Sequence, residues 1–511
     1  MNTRQYKIGA VLSYLTIFLG NIVGIIYTPI MLRMLGQAEY GLYSLVGAMI
    51  ATLSVVDMGF GNASIRYISK YRAIGDKEKE YSVNGMFLLI NTFICFLTIL
   101  IGLILFKYTN VLFDNSLSSS DISRFKLMLI ILVFNLAISF PFSIFGSIIV
   151  SYEEFIFPKV VGIIRTILNP IIILSVLYMG HDSLGMVVAN TIVNLLFLWV
   201  NVVYCFRKLK IKIYLKNFDF KLLKEISIYS FFIFLAVIID KIYWTTDQFI
   251  LGIYSGTIMV SIYAIASQLN MYYMQFSTAI SGMFLPRVTS MVIKEATNGE
   301  LTDLFIKIGR IQFVILGLIL AGFTSFGKEF ITIWAGKEYY SAFYMALILI
   351  IPFTIPLIQN IGLSILQAKN LHSFRSTVLI FIAIGNLVIS IPLAKSMGGI
   401  GCAIGTAISM IIGNILIMNI YYYKKIGINI PKFWSEIGFL SLPLFISLVI
   451  GVSLNTVIIG LGIVTLIFKI FIFTITYCIL IYFIGMNKYE KDLFTSPFRG
   501  IIRRKKVVFL K

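Results

Sequence analysis

The stretch from Val83 to Phe106 decides the fold class. It reads VNGMFLLINTFICFLTILIGLILF and carries no charged residue over its 24 positions. An α-helix needs about 20 mostly apolar residues to cross the hydrocarbon core of a bilayer. This stretch therefore predicts a transmembrane helix, and most of the chain repeats its pattern.

Fourteen segments of the chain have the length and hydropathy of a membrane span. The first follows Arg4 and Lys7 and is too long for a cleaved signal peptide, so we interpret it as a span. Segment 256–283 carries the most Ser, Tyr and Gln, which predicts a helix that faces protein or a cavity. The predicted spans are 8–32, 41–65, 83–106, 124–150, 157–179, 184–206, 228–252, 256–283, 303–327, 341–366, 374–394, 398–423, 436–455 and 459–485.

The composition of the whole chain agrees with a membrane protein. Of the 511 residues, 59% are hydrophobic and 13% are charged, whereas a soluble domain has about 25% charged residues. So few charges cannot cover a soluble surface without large exposed apolar patches. This excludes a water-soluble enzyme, a nucleic-acid-binding protein and a disordered protein, although the net charge is +20.

The positive charges are distributed asymmetrically between the loops. Of the 42 Lys and Arg residues, 32 lie in alternate loops on one side, 7 lie on the other side and 3 lie inside spans. Because cytoplasmic loops are enriched in Lys and Arg, we expect a multi-pass protein with both termini in the cytoplasm. The excess charge therefore sets topology, and no nucleic acid is expected as a partner.

A faint internal repeat predicts two halves of the same orientation. The segment from Glu39 to Ser44 resembles the segment from Met259 to Ala264 at an offset of 220 residues. Parallel repeats of this kind are common in transporters, with the binding site between them. The predicted organisation is an N-terminal six-helix bundle at 1–210, a basic cytoplasmic linker at 211–227, a C-terminal six-helix bundle at 228–425, helices 13 and 14 at 426–485 and a basic cytoplasmic tail at 486–511.

The residues offer no basis for enzymatic or metal chemistry. The four cysteines are scattered and the two histidines lie in loops, so no metal site is expected. No phosphate-binding loop of the G-x-x-x-x-G-K-[ST] type is present, and the loops are too short for a catalytic domain. We therefore expect no catalytic residue, no cofactor and no enzymatic activity.

Several charged residues fall inside or at the ends of spans, where a charge is costly unless it faces a cavity or a partner. For each of them, a buried structural ion pair is the alternative to a functional role. The functional hypothesis is that cationic side chains hold an anionic head group, while carboxylates hold a coupling Na⁺ or H⁺. The candidate head-group ligands are Arg165, Lys241, Arg66 and Arg310, and the candidate ion-coupling residues are Asp240, Asp247 and Asp57. Asp240, Trp244 and Asp247 share one helical face.

Six sequence stretches, in order, resemble one transporter family. The resemblance covers about residues 1–425 and identifies the chain as a member of the polysaccharide-transport (Wzx-type) flippases of the multidrug/oligosaccharidyl-lipid/polysaccharide exporter superfamily. The stretches are LGQAEYGLYS (35–44), DMGFGNASIR (57–66), SYEEFIF (151–157) with RTILNP (165–170), DQFILG (247–252), LQAKN (366–370) and GIGCAIGT (399–406).

The resemblance implies an all-α fold of about 14 helices, with two six-helix bundles forming a V-shaped cavity and two additional C-terminal helices. It implies translocation of undecaprenyl-pyrophosphate-linked oligosaccharide units for O-antigen, capsule or exopolysaccharide across the bacterial cytoplasmic membrane. The resemblance also implies alternating access coupled to an ion gradient. The implied partners are membrane lipid, a polymerase and other polysaccharide assembly proteins. In related flippases cavity arginines are thought to hold the pyrophosphate, and here only Arg165 lies clearly inside a span of the N-terminal half.

Three alternatives remain open from the sequence. A peptidoglycan lipid precursor flippase is a near neighbour of the same superfamily. A drug/cation antiporter of the MATE type would have a net acidic cavity and twelve spans. A membrane glycan polymerase or ligase belongs to another class and would need a large external loop, which this sequence does not contain.

Overall fold

The computed structural model describes residues 3–215, 220–369, 371–460, 462–493 and 495. Within these ranges the regular structure is helical, with no β-strand. The helices pack into two compact units, Met1–Ala264 with Ser390–Cys402, and Ile265–Ile389 with Ala403–Lys511. The predicted boundaries of the two bundles, the linker and the tail stay predictions.

The first unit is built mainly from eight helices. A short 3₁₀ turn, Ser54–Asp57, follows the second of them. The helices are α1 (Thr3–Leu35), α2 (Gln37–Leu53), α3 (Phe60–Ile74), α4 (Lys77–Phe113), α5 (Ser119–Ser151), α6 (Ile156–Tyr178), α7 (Ser183–Arg207) and α8 (Phe220–Tyr254).

The remaining helices belong mainly to the second unit, although α9 and α14 contribute residues to both. Among the described residues, three segments are π-helical, at Ile411–Ile417, Tyr422–Ile426 and Ile481–Gly485. The helices are α9 (Gly256–Gly282), α10 (Leu285–Ile293), α11 (Asn298–Trp334), α12 (Ala342–Ile358), α13 (Ile361–Ala368), α14 (His372–Met410), α15 (Met418–Tyr421), α16 (Ile430–Val457) and α17 (Ile463–Leu480).

The helices are long and apolar enough for a multi-pass membrane protein. Among the described residues, 10 helices meet the length and hydropathy of a membrane span, or up to 12 if each of two bent pairs forms one span. The segment Phe374–Ile426, which is 53 residues long, counts here as one span, although the backbone of Gly398 inside it is not helical. The sequence places two spans there, so the predicted total of fourteen is not confirmed by this count.

In the first unit, α2 packs closely against α8 and the start of α9. A Cβ atom on Gly41 would overlap the carbonyl oxygen of Thr257, so the two backbones meet where only glycine fits. Small residues at such crossings are typical of helix packing in membranes. A separate cluster of buried aromatic and aliphatic residues, which includes Phe87 and Phe145, joins α3, α4, α5 and α7.

In the second unit, α11 is the central helix. It packs against α12, α16 and α17. Within its most apolar stretch, 72% of the residues are buried. Two ion-pair sites with a buried cation connect this helix to the C-terminal part of the chain among the described residues. One of them joins Lys469 Nζ on α17 to Glu329 Oε2 on α11 at 2.8 Å.

The second ion pair centres on Arg310 of α11, whose side chain is 3% exposed. Its Nε donates to Glu490 Oε1 at 2.7 Å, and its Nη1 donates to the backbone oxygen and Oε2 of Glu436. Its Nη2 donates to the backbone oxygen of Gly485 and to Glu490 Oε2, both at 2.9 Å. All five N–H groups of the guanidinium are therefore used by protein acceptors.

We expect Glu490→Gln to destabilise the protein much more than Glu436→Gln. The Glu490 side chain is 1% exposed, whereas that of Glu436 is 44% exposed. Removing one partner of a buried ion pair costs about 3–5 kcal/mol, while an exposed pair contributes about 0–1 kcal/mol. Thermal unfolding of both purified variants in detergent measures the difference, and an equal fall in melting temperature would contradict this role of Glu490.

Candidate transport site

The second predicted span is broken in its middle. Helix α2 ends at Leu53, and α3 begins at Phe60. Between them, Met58 has φ 50° and Gly59 has φ 71°, both in the left-handed region. Two consecutive residues of this kind cannot continue a right-handed helix, so the chain must bend here.

Asp57 lies beside the backbone that the break exposes. Its carboxylate interacts electrostatically with the backbone N–H groups of Gly59 and Gly61. Unpaired N–H groups and the helix dipole favour negative charge near the start of a helix such as α3. The geometry therefore places Asp57 at the break, and its predicted role in ion coupling stays a prediction.

An apolar cavity of about 470 Å³ lies beside this break. We call it the break cavity. It is bounded by the end of α2, the break itself, α4 and α8. Ten of its lining residues are apolar, and the other two are threonines. The lining consists of Met49, Thr52, Leu53, Val55, Val56, Met58, Leu97, Ile101, Leu105, Phe234, Thr246 and Phe249.

At the rim of the break cavity, a pair of threonines connects α2 to α8. The hydroxyls of Thr52 and Thr245 lie 2.9 Å apart in a hydrogen bond. The Thr245 hydroxyl also donates to the backbone oxygen of Lys241 at 2.7 Å, one helical turn earlier. The predicted head-group ligand Lys241 therefore stands one turn from the rim, and its side chain is partly buried.

Asp247, a predicted ion-coupling residue, lies further along α8. The residue is 4% exposed, and its carboxylate accepts a hydrogen bond from the hydroxyl of Tyr263. The side chains of Asp240 and Trp244 lie outside the described residues, so the predicted face of Asp240, Trp244 and Asp247 stays a prediction. Tyr263, the partner of Asp247, is not among the site residues predicted from the sequence.

The predicted arginines have different surroundings. The Arg165 side chain on α6 is exposed and forms no hydrogen bond or ion pair with the part of the chain that the structure describes. The guanidinium of Arg66 on α3 lies 5.8 Å from the ring centroid of Tyr67. Arg310 was predicted to bind substrate, but its five N–H groups are all used inside the second unit. We interpret Arg310 as a structural residue, because no donor remains for a phosphate.

Neither the break nor the cavity is predicted from the sequence. The signal that could have indicated the break is the pair Gly59 and Gly61 directly after Asp57, inside an otherwise apolar span. The lining of the break cavity has no local signal, because its residues come from three helices that are distant in the chain.

Comparison with known proteins places this architecture in one family. The model of the family "Polysaccharide biosynthesis protein" matches residues 8–292, which is more than half of the chain. The chain belongs to this family. The match confirms the resemblance to polysaccharide-transport proteins that the six stretches predicted.

One curated relative of this chain is the "Probable low-salt glycan biosynthesis flippase Agl15" of Haloferax volcanii. It is 24% identical over 229 residues, which are 45% of this chain and 48% of the relative. The match therefore spans about half the length of that relative.

Two solved structures show the same fold. A lipid II flippase, MurJ, in an inward closed conformation matches with a TM-score of 0.74 at 15% identity, over 96% of this chain and 99% of that chain. An inward-facing multidrug resistance transporter of the MATE family matches with a TM-score of 0.61 at 13% identity, over 78% of this chain and 92% of that chain. These matches confirm the predicted MOP/MATE-like helical fold.

We expect Gly59→Ala to destabilise the break, since an L-residue in the left-handed region costs about 1–2 kcal/mol. Gly47→Ala in α2 is the matched control, because a Cβ atom there meets nothing within 4 Å and alanine favours a helix. The apparent melting temperature of the purified variants measures the effect. A Gly59→Ala variant as stable as Gly47→Ala would show that the break does not need glycine.

Proposed function

We propose that this protein is a flippase that translocates undecaprenyl-pyrophosphate-linked oligosaccharide across the bacterial cytoplasmic membrane. The observation that carries the proposal is the family match over residues 8–292. The name of the curated relative, a glycan biosynthesis flippase, supports it. The fold supports it too, because the match to the lipid II flippase covers 96% of this chain.

The proposed mechanism is alternating access, in which the oligosaccharide passes through a polar route while the lipid tail stays among apolar surfaces. Arg165, Lys241 and Arg66 bind the pyrophosphate, because cationic donors match its charge. Asp240, Asp247 or Asp57 binds the coupling Na⁺ or H⁺ in this proposal. Both termini lie in the cytoplasm, as the 32 basic residues on one side indicate.

The exported units serve O-antigen, capsule or exopolysaccharide assembly in this proposal, and a polymerase with other assembly proteins receives them. A second candidate function is translocation of a peptidoglycan lipid precursor. The observation that favours it is the TM-score of 0.74 to the lipid II flippase, against 0.61 for the multidrug transporter. The two candidates differ in the glycan and share the polyprenyl-pyrophosphate carrier.

A translocation assay with two substrates distinguishes the candidates. The full-length protein is reconstituted in liposomes that contain a fluorescent undecaprenyl-pyrophosphate oligosaccharide or fluorescent lipid II. A membrane-impermeant quencher then reports the fraction of label in the outer leaflet over time. The first candidate is supported if the labelled oligosaccharide becomes accessible to the quencher faster than in protein-free liposomes. This acceleration must also be larger than the one for labelled lipid II. The reverse preference supports the second, and no acceleration for either substrate rejects both.

We expect Arg165→Ala to lower the initial translocation rate by about tenfold to 100-fold, because hydrogen bonds to charged groups contribute about 1.5–3 kcal/mol. Lys159→Ala is the matched control, since Lys159 lies near the start of the same helix and we assign it only to topology. Both variants are compared at equal reconstituted protein. A full rate for Arg165→Ala would assign Arg165 to structure, and Arg165→Lys tests whether charge alone is sufficient.

A further inference from the structure

We propose that the break cavity binds the isoprenoid chain of the lipid substrate, with Lys241 beside the anionic head group. The proposal rests on the proposed function and adds a location for the lipid. All the residues that carry it belong to the first unit.

The chemistry of the break cavity selects an apolar occupant. Its volume of about 470 Å³ lies within the range of about 300–1,000 Å³ that is typical of ligand pockets. The Thr52 hydroxyl is already hydrogen-bonded to the backbone oxygen of Ala48 and to Thr245. A cavity lined in this way gives water few partners, so hydrocarbon is the favoured occupant.

The break cavity lies beside the middle of a membrane span, at the depth of the hydrocarbon core. Its α2 and break residues lie in the middle of the span Gln37–Ile74. On α4, the residues Leu97, Ile101 and Leu105 recur at intervals of four and form one helical face. Leu103, on the opposite face of α4, is 57% exposed. Helix α4 therefore has the cavity on one side and a surface suited to lipid on the other.

A cation on α8 completes the pattern of an amphiphile site. Lys241 follows the cavity-lining Phe234 by seven residues, which places both within about 20° of one face at 3.6 residues per turn. Among the described side chains, no carboxylate forms an ion pair with Lys241. Lys241 lies inside the predicted span 228–252, where a charge is costly, so an anionic ligand at this position would stabilise it.

The depth of Lys241 favours the translocated lipid over an ordinary phospholipid. It lies 13 residues before the end of α8 at Tyr254, which is about 20 Å along the helix axis. Phospholipid head groups stay at the membrane surface, whereas the head group of a flipped lipid must pass the middle of the membrane. A cation at this depth therefore meets the phosphate of the lipid that crosses.

Photolabelling tests the proposal on the full-length protein in phospholipid nanodiscs. The probe is a prenyl pyrophosphate that carries a benzophenone in its isoprenoid chain, and a prenyl alcohol with the same chain is the neutral probe. We expect label on peptides that contain residues 49–58 and 97–105. Excess undecaprenyl pyrophosphate should compete with the label, and excess phosphatidylglycerol should not.

Variants separate the cavity from its surroundings. Ile101→Trp fills the break cavity and should lower labelling by about tenfold, the change that corresponds to 1.4 kcal/mol. Leu103→Trp makes the same kind of change on the opposite face of α4 and should leave labelling unchanged. Leu97→Phe is a smaller filling variant for the case that Ile101→Trp fails to fold, as judged by size-exclusion chromatography.

The charge is tested separately from the cavity. Lys241→Gln should weaken labelling by the pyrophosphate probe and leave labelling by the alcohol probe unchanged. Lys224→Gln, near the start of the same helix, removes an exposed charge and should affect neither probe.

Failure of the proposal is distinguishable from failure of the proposed function. Labelling that Ile101→Trp and Leu97→Phe leave unchanged, in a protein that still translocates lipid-linked oligosaccharide, would overturn the cavity site alone. Equal competition by phosphatidylglycerol would also overturn it, because the cavity would then hold an ordinary acyl chain. Labelling as expected in a protein that translocates neither glycolipid would support the site and reject the function.

Discussion

The absence of water in the hydrocarbon core is the constraint on which the rest of this structure depends. A backbone N–H or C=O that finds no partner inside a membrane costs several kcal/mol, so spans are helical and interruptions need partners from the protein. The described residues follow this rule, since their regular structure is helical. At the interruption after Leu53, the Met58 N–H donates to the backbone oxygen of Val55 at 3.0 Å. The Asp57 carboxylate lies beside the N–H groups of Gly59 and Gly61, whose dipoles favour a negative charge in the middle of this span.

The same constraint separates the cations inside the predicted spans into two groups. Arg310 and Lys469 are held by carboxylates from distant helices, and the guanidinium of Arg310 has no N–H left to donate. These two residues join α11 to the C-terminal part of the chain. Arg165 and Lys241 form no ion pair with the side chains that the structure describes. In a medium where an uncompensated charge is costly, such cations are the ones that an anionic substrate would stabilise.

Much of the fold could be predicted from hydropathy, and little of the site could. The predicted span 157–179 agrees with α6 (Ile156–Tyr178), and 83–106 lies inside the longer α4 (Lys77–Phe113). Helices extend beyond the predicted ends because helical structure continues past the apolar stretch that defines a span. The break at Met58 and Gly59 lies inside the predicted span 41–65. The summed hydropathy of about 20 residues is the same whether or not two of them have left-handed backbone angles. Hydropathy therefore cannot predict a break of this kind.

The sequence by itself determined that this chain crosses a membrane many times, that its spans are helical and that it resembles polysaccharide-transport proteins. These conclusions depend on composition and short motifs, which are local properties of the chain. Only the tertiary structure decided which charges are paired and where a cavity lies. Arg310 and Glu490 are 180 residues apart, and the break cavity takes its lining from α2, α4 and α8. Pairing and cavities arise from packing between distant helices, and helices of similar hydropathy can pack in many ways.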